Sequence, residues 1–152
     1  FHQPLFVLSD FNLLNTLDKR ELLSGYAEIV KYGLIINNDF FNWLDKNWEV
    51  IIKKNDVHRA EAIIKSCKIK SNIVEKDEFE NNNRAILNLG HTFAHAFESL
   101  SQYNGSLLHG EAVAIGIVQA FKLSSASRAT SKVSASRVPK PSSKNSESIL
   151  VL

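Results

Sequence analysis

Two histidines four residues apart, His91 and His95, are the residues whose type and spacing point most directly to chemistry. They lie in the stretch RAILNLGHTFAHAFE, residues 84–98, where apolar residues recur at mixed helical spacing. Positions i and i+4 of a helix share one face, so both rings would point the same way, with Asn88 and Arg84 on the preceding turns. A polar stripe on an otherwise apolar, buried helix needs partners. The pattern therefore predicts one helix over residues 84–98 that forms the wall of a polar cavity.

A metal site is one interpretation of this pair, although an HxxxH pair often occurs by chance and most lone histidines are structural. The chain supplies further candidate ligands, His109 in LLHGEAVAIG and Glu28 in SGYAEIVKYG. A zinc-like ion takes imidazole nitrogens and carboxylate oxygens, and a catalytic site combines three protein ligands with an open position. The spacing leaves open whether His91 and His95 both bind the ion, or whether one binds and the other does chemistry.

Length and composition are those of one ordinary globular domain. Of the 152 residues, 44% are hydrophobic and 22% are charged. The single cysteine excludes an internal disulfide, and no membrane-span or signal-peptide pattern is visible, so we expect a cytoplasmic protein without a membrane partner. Five basic residues and one acidic residue follow position 124, so this tail has a net charge of +4. The net charge of the whole chain is +2, which leaves −2 for residues 1–124. That balance predicts no nucleic-acid partner.

Four motifs together resemble the 3-dehydroquinate synthase family. They are FHQP, SGYAEIVKYG, LNLGHTFAHAFE and LLHGEAVAIG, in this order along residues 1–124. The resemblance covers the C-terminal part of that family's chain, and the family's N-terminal dinucleotide-binding domain would precede Phe1. It implies conversion of 3-deoxy-arabino-heptulosonate 7-phosphate to 3-dehydroquinate and phosphate, in the shikimate pathway of aromatic amino acid biosynthesis.

The expected fold is all-α, the helical C-terminal domain of a dehydroquinate synthase-like protein. Periodicity at threes and fours predicts roughly six helices between positions 11 and 124, including residues 19–36, 38–48, 56–76, 84–98 and a last one from about 108. Residues 5–8 are predicted to be a short strand left over from the preceding domain. Residues 1–124 form the predicted domain, and the tail over residues 125–152, rich in Ser, Lys and Arg, is predicted to be disordered.

The resemblance also implies which residues hold the cofactors and the substrate. The implied ligands of Zn²⁺ or Co²⁺ are Glu28, His91 and His109. The implied NAD contacts are Leu13, Leu14, Asn15 and Thr16. The implied substrate-contacting and catalytic residues, of which His95 and Glu80 are the candidates for proton transfer, are Lys31, Lys70, Glu80, Arg84, Asn88 and His95.

Three interpretations of function are open on the sequence. The first is the synthase, with an anionic sugar-phosphate substrate and a homodimer in the full-length family. The second is another sugar-phosphate cyclase or a polyol dehydrogenase on the same scaffold, although Lys31, Lys70 and Arg84 argue against a neutral polyol. The third is a non-catalytic fragment that binds metal. The six glycines include no GxG spacing for a phosphate-binding turn, so we expect this chain by itself to be inactive.

Overall fold

Every regular element in the described part of the chain is a helix, which confirms the all-α prediction. The computed structural model describes residues 4–53, 56–79 and 83–137. The α-helices are α1 (Lys19–Ile36), α2 (Asn38–Ile52), α3 (Asp56–Lys76), α4 (His91–Leu100) and α5 (His109–Arg137), with 3₁₀ helices at Phe11–Thr16 and Asn83–Asn88. Residues 5–8 do not form the predicted strand, because no strand within these ranges offers a partner for a hydrogen-bonded ladder.

Helices α1, α2 and α3 pack against one another around a first apolar core. Helix α1 begins where the sequence predicts, since Asp18 and Glu21 form a capping box. Helix α2 follows at once, because the Asn37 side chain accepts a hydrogen bond from the Phe40 N–H. The core itself consists of Phe40, Leu44, Ile51 and Ala62.

Helices α4 and α5 meet in a second core, which positions two of the three candidate metal ligands. Its buried members are Ala94, Ala112, Val113 and Ile117. Burial of such side chains stabilises the pair by about 25 cal/mol for each Å² of apolar surface removed from water. His91 and His109 are the first residues of these two helices. The packing of α4 on α5 therefore also fixes the backbone positions from which the two imidazole side chains extend.

The single helix predicted over residues 84–98 is broken at Gly90. This residue has φ 82°, in the left-handed region, and it separates the second 3₁₀ helix from α4. A Cβ at Gly90 would lie 2.7 Å from the backbone nitrogen of Ile117, and a Cβ on Gly116 would overlap with the Gly90 carbonyl. The close crossing of the two backbones therefore selects glycine at both positions. As a consequence, Arg84 and Asn88 do not continue the face that carries the two histidines of α4.

The chain divides into two compact units, residues 1–120 and residues 121–152. In the second unit, α5 continues to Arg137, so residues 125–137 are helical where the sequence predicts a disordered tail. This stretch contains neither proline nor glycine, and its Ala, Lys and Arg residues are good helix formers. Residues 138–152 of the predicted tail lie outside the described residues, and a domain boundary at position 124 stays a prediction.

Candidate metal centre

Three helices bring Glu28, His91 and His109 to one place. Glu28 lies within α1, His91 opens α4 and His109 opens α5, and one ligand atom from each lies within 4.8 Å of the others. The Glu28 Oε1 atom is 3.9 Å from His91 Nε2 and 3.7 Å from His109 Nε2. Two imidazoles and one carboxylate are the donor set of a three-ligand zinc-type site.

The Glu28 carboxylate has one satisfied oxygen and one unsatisfied oxygen. Oε2 accepts a 2.6 Å hydrogen bond from the ammonium group of Lys31, whose side chain is only 4% exposed. Oε1 is buried and has no hydrogen-bond partner within the described residues. A buried carboxylate oxygen without a partner is unfavourable, and a cation between Oε1 and the two Nε2 atoms would satisfy it. The donors present therefore fit a divalent ion.

His91 is held in the form that binds a metal. Its Nδ1 lies 3.4 Å from the Leu89 carbonyl oxygen, which can only accept, so Nδ1 carries the proton and Nε2 keeps its lone pair. Burial, and next the positive charge of Lys31, lower the pKa of His91 below its ordinary value. The imidazole is therefore neutral at physiological pH, as a metal ligand must be.

Glu98, on α4, contacts two histidines, the candidate ligand His109 and its neighbour His95. Its Oε1 lies 2.9 Å from His109 Nδ1, and its Oε2 lies 3.0 Å from His95 Nδ1. Hydrogen bonds from His109 and then from His95 hold the pKa of Glu98 below its ordinary value. The His95 ring is 5.6 Å from that of His91 between centroids, but His95 is not among the three ligand residues. It lies beside the candidate site with a side chain that is 61% exposed.

The first turn of α5 is fixed to α1, and this fixes His109. The Gly110 N–H donates a 3.0 Å hydrogen bond to the Ser24 hydroxyl, and a Cβ on Gly110 would overlap with the Ser24 backbone. Arg20 makes a bidentate pair with Glu111, with both N–O distances 2.6 Å, and Glu111 also accepts from the Leu108 N–H. The Arg20 guanidinium, and next the Leu108 N–H, lower the pKa of Glu111 to about 2.

Sequence reasoning misses Glu98, Arg20 and Glu111. A partial signal exists for two of them. Glu98 stands three residues after His95, and Glu111 stands three residues after Leu108, where an acid can cap a helix start. Arg20 gives no signal, because its partner Glu111 is 91 positions away along the chain.

Of the predicted substrate-binding residues that the structure describes, His95 lies on α4. The four others lie on three elements that pack against one another, namely α1, α3 and the second 3₁₀ helix. Lys31 contacts the candidate metal site, formed by Glu28, His91 and His109, because its ammonium group pairs with Glu28. Lys70 is exposed on α3, and Asn88 is exposed at the end of the 3₁₀ helix. The Arg84 guanidinium donates a 2.7 Å hydrogen bond to the Glu78 carbonyl.

The structure thus brings Lys31 to the cluster, whereas no described contact joins Lys70 or Arg84 to it. The backbone N–H of Arg84 donates to Asp77 Oδ2 at 2.9 Å, which fixes the start of its 3₁₀ helix beside the end of α3. Glu80 lies outside the described residues. The substrate contacts of all these side chains stay predictions.

The segment predicted to touch NAD forms the first 3₁₀ helix. It comprises Leu13, Leu14, Asn15 and Thr16. The buried Arg59 of α3 donates to Asn15 Oδ1 at 3.0 Å and to the Ile51 carbonyl at 3.3 Å, so it joins this segment to the end of α2. A largely apolar cavity of about 450 Å³ lies alongside and is lined in part by Leu13, Leu14 and Arg59.

Comparison with known proteins adds an independent line of information. Among the described residues, the helices lack a stretch long and apolar enough to cross a membrane. The family described as 3-dehydroquinate synthase C-terminal matches residues 25–147. A 3-dehydroquinate synthase of Bartonella quintana is 54% identical over 125 residues, which are 82% of this chain and 33% of that protein. The enzymes of the same name from Rhizobium rhizogenes and Agrobacterium fabrum are each 51% identical over 139 residues, which are 91% of this chain and 37% of each protein. The chain thus spans about a third of the length of these relatives.

Proposed function

The chain belongs to the 3-dehydroquinate synthase family, and we propose that it forms the metal- and substrate-binding part of such an enzyme. The reaction converts 3-deoxy-arabino-heptulosonate 7-phosphate to 3-dehydroquinate and releases phosphate. The observation that carries the proposal is the convergence of Glu28, His91 and His109 around a buried carboxylate oxygen that has no partner among the described residues.

Glu28 Oε1 and the Nε2 atoms of His91 and His109 would hold Zn²⁺ or Co²⁺. Two nitrogens and one oxygen suit these ions and leave a coordination position for substrate. When bound, the ion polarises hydroxyl groups of the substrate, and NAD accepts and returns a hydride. The protein's own contribution is to aim both imidazoles at one point, which the Leu89 carbonyl does for His91.

The cations Lys31, Lys70 and Arg84 would bind the carboxylate and phosphate groups of the substrate, with Asn88 as a neutral contact. Arginine adds bidentate geometry that suits both anions. This set favours an anionic substrate over the neutral substrate of a polyol dehydrogenase. His95, whose Nδ1 is bound by Glu98, has its Nε2 available to take a proton, and Glu80 is the second candidate for proton transfer.

The first 3₁₀ helix, Phe11–Thr16, would contact NAD through Leu13, Leu14, Asn15 and Thr16. The hydroxyl of Thr16 is engaged with the Leu13 carbonyl at 2.8 Å, which keeps the turn closed. Asn15 is held by the buried Arg59. We further propose that the enzyme acts in the cytoplasm as a homodimer.

A chimera tests the activity. The matching part of the Agrobacterium fabrum enzyme is replaced by this chain, and phosphate release is measured with substrate, NAD and zinc. We expect turnover, and we expect His91→Ala to abolish it while Glu61→Gln, which alters a half-exposed pair with Lys65, leaves it intact. A folded chimera without activity, or an active His91→Ala chimera, would contradict the proposal.

Metal content tests the site separately. After equilibration of this chain with zinc and removal of free ion, we expect one bound ion. Substitution of Glu28, His91 or His109 by alanine should remove it, because each supplies one of three ligand atoms. His95→Ala should retain it. Equal metal content in the His95→Ala and His91→Ala variants would show that the ligand set is wrong.

A further inference from the structure

We propose that Glu98 is a positioning residue that sets the tautomer of both His109 and His95, and thereby aims the Nε2 atom of His109 at the metal. This inference rests on the proposed function, since it assigns a role beside the proposed ligand set. Glu98 is not itself one of the three ligand residues. It acts through the two histidines that it contacts.

The geometry places one carboxylate between two helices. Glu98 lies on α4, three residues after His95, while His109 lies on α5 beyond the loop that follows α4. Each carboxylate oxygen serves one ring, with Oε1 at 2.9 Å from His109 Nδ1 and Oε2 at 3.0 Å from His95 Nδ1. The side chain is 13% exposed, whereas those of His109 and His95 are 48% and 61% exposed. The more buried acid therefore orients the more exposed rings.

The chemistry of the carboxylate fixes the proton positions. An ionised carboxylate accepts hydrogen bonds and cannot donate them, so each Nδ1 atom must carry the hydrogen. A neutral imidazole protonated at Nδ1 has its lone pair on Nε2. For His109 that nitrogen faces Glu28 Oε1 at 3.7 Å, which is where an ion would bind. A carboxylate behind a metal-binding histidine is a recurring arrangement that orients the ring and strengthens the ligand.

The end of α4 depends on the backbone of Glu98 and not on its side chain. The turn that ends this helix uses the backbone carbonyl of Glu98, which accepts from the Tyr103 N–H at 3.1 Å and from the Ser101 hydroxyl at 2.9 Å. A substitution of the side chain leaves both contacts available. The carboxylate is thus free to serve the histidines, and its replacement need not disrupt the helix.

Glutamine offers a sharper substitution than alanine at this position. A glutamine side chain has one acceptor oxygen and one donor NH₂ group, so it can accept from one Nδ1–H but not from two. At least one of His95 and His109 must then change its tautomer or lose its partner. Glu98→Ala removes both acceptors. Glu61→Gln and Glu61→Ala are the matched controls, because Glu61 is a half-exposed acid of the same type that pairs with Lys65 and has no described contact with His95 or His109.

Two measurements test the inference on the chain itself. Long-range ¹⁵N–¹H NMR of the metal-free protein reports which ring nitrogen carries the proton. We expect Nδ1–H for both His95 and His109 in the parent chain, a changed tautomer for at least one ring in Glu98→Gln, and changes in both rings in Glu98→Ala. Competition with a zinc chelator gives the affinity, which should fall about 10- to 100-fold in Glu98→Ala and not in the Glu61 variants.

The outcomes separate this inference from the proposed function. If the parent chain binds no zinc, the proposed metal site fails, and the NMR result still decides the role of Glu98. If the parent chain binds zinc and Glu98→Ala binds it equally well, or if both tautomers persist in that variant, the inference is overturned. Circular dichroism identifies a variant that has lost its fold, and the more conservative Glu98→Gln then provides the decisive spectrum.

Discussion

Substitution of Gly90 by alanine should damage both the fold and the metal site. The backbone has φ 82° here, and a side chain in the left-handed region costs about 1–2 kcal/mol. The new Cβ would also lie 2.7 Å from the backbone nitrogen of Ile117 and 3.0 Å from the Val113 carbonyl, and neither backbone atom can rotate away. Overpacking of this kind adds about 1–3 kcal/mol. The free energy of unfolding should therefore fall by about 2–5 kcal/mol.

Gly105→Ala is the matched control for this substitution. Gly105 has φ 78°, but a Cβ added there would meet no atom within 4 Å, so this position shares the backbone strain and lacks the clash. The difference between the two variants in urea unfolding, followed by circular dichroism, isolates the packing of α4 against α5 and should be about 1–3 kcal/mol. Equal loss of stability in both variants would refute the reasoning.

The clash introduced by Gly90→Ala also predicts a loss of zinc affinity. Relief of the clash requires the Cβ to move from 2.7 Å to the ordinary contact distance of 3.4 Å, a shift of about 0.7 Å that His91, the next residue, must follow. Binding sites tolerate displacements of about 0.5 Å. Gly90→Ala should therefore bind zinc more weakly in chelator competition, while Gly105→Ala should bind it like the parent chain.

Two further predictions concern contacts that position the site. The depressed pKa of Glu111, about 2, makes its pair with Arg20 stabilising above the ordinary value of 4.5, and this contribution is lost as the pH falls from 4.5 towards 2. Acid unfolding of Glu111→Gln should accordingly depend less on pH across that window, and an unchanged profile would show that the pair contributes nothing. Arg59→Met should lower the free energy of unfolding in urea by about 1–3 kcal/mol, because it leaves the Ile51 carbonyl without its buried donor. A loss below about 0.5 kcal/mol, which is typical of surface substitutions, would contradict that role.

Local signals in the sequence are sufficient to predict part of the fold, including the bounds of some helices. Helix α1 begins after Asp18 because its cap is encoded within three residues, and the predicted bounds of α3 agree with the observed ones. The break at Gly90 is not predictable in this way. Gly90 combines a left-handed backbone with a close approach to the Ile117 backbone, and spacing within residues 84–98 carries no information about that approach. The extension of α5 escapes prediction because serine and basic residues are typical of disordered tails, although no proline or glycine before position 138 ends the helix.

The candidate site likewise contains residues that the sequence identifies and contacts that only the folded structure reveals. The family resemblance groups Glu28, His91 and His109, and the structure brings their ligand atoms together. Two supporting contacts are harder to predict from the sequence than the Lys31–Glu28 pair within α1, because each of the two joins separate helices. Glu98 reaches from α4 to α5, and Arg20 reaches from α1 to Glu111 on α5. Such pairs follow from tertiary packing, and composition or periodicity does not reveal them.

The pair between Lys31 and Glu28 has a consequence for the choice of metal. Because the ammonium group holds Oε2 at 2.6 Å, Glu28 can offer only its other oxygen to an ion. Calcium prefers six to eight oxygen ligands and often takes a carboxylate through both oxygens, and magnesium requires an octahedral set of oxygens. A centre limited to one carboxylate oxygen and two imidazole nitrogens disfavours both of these abundant ions. Lys31 thus restricts the number of oxygen ligands that Glu28 offers, and we expect an ion at this candidate site to be a borderline-soft transition ion.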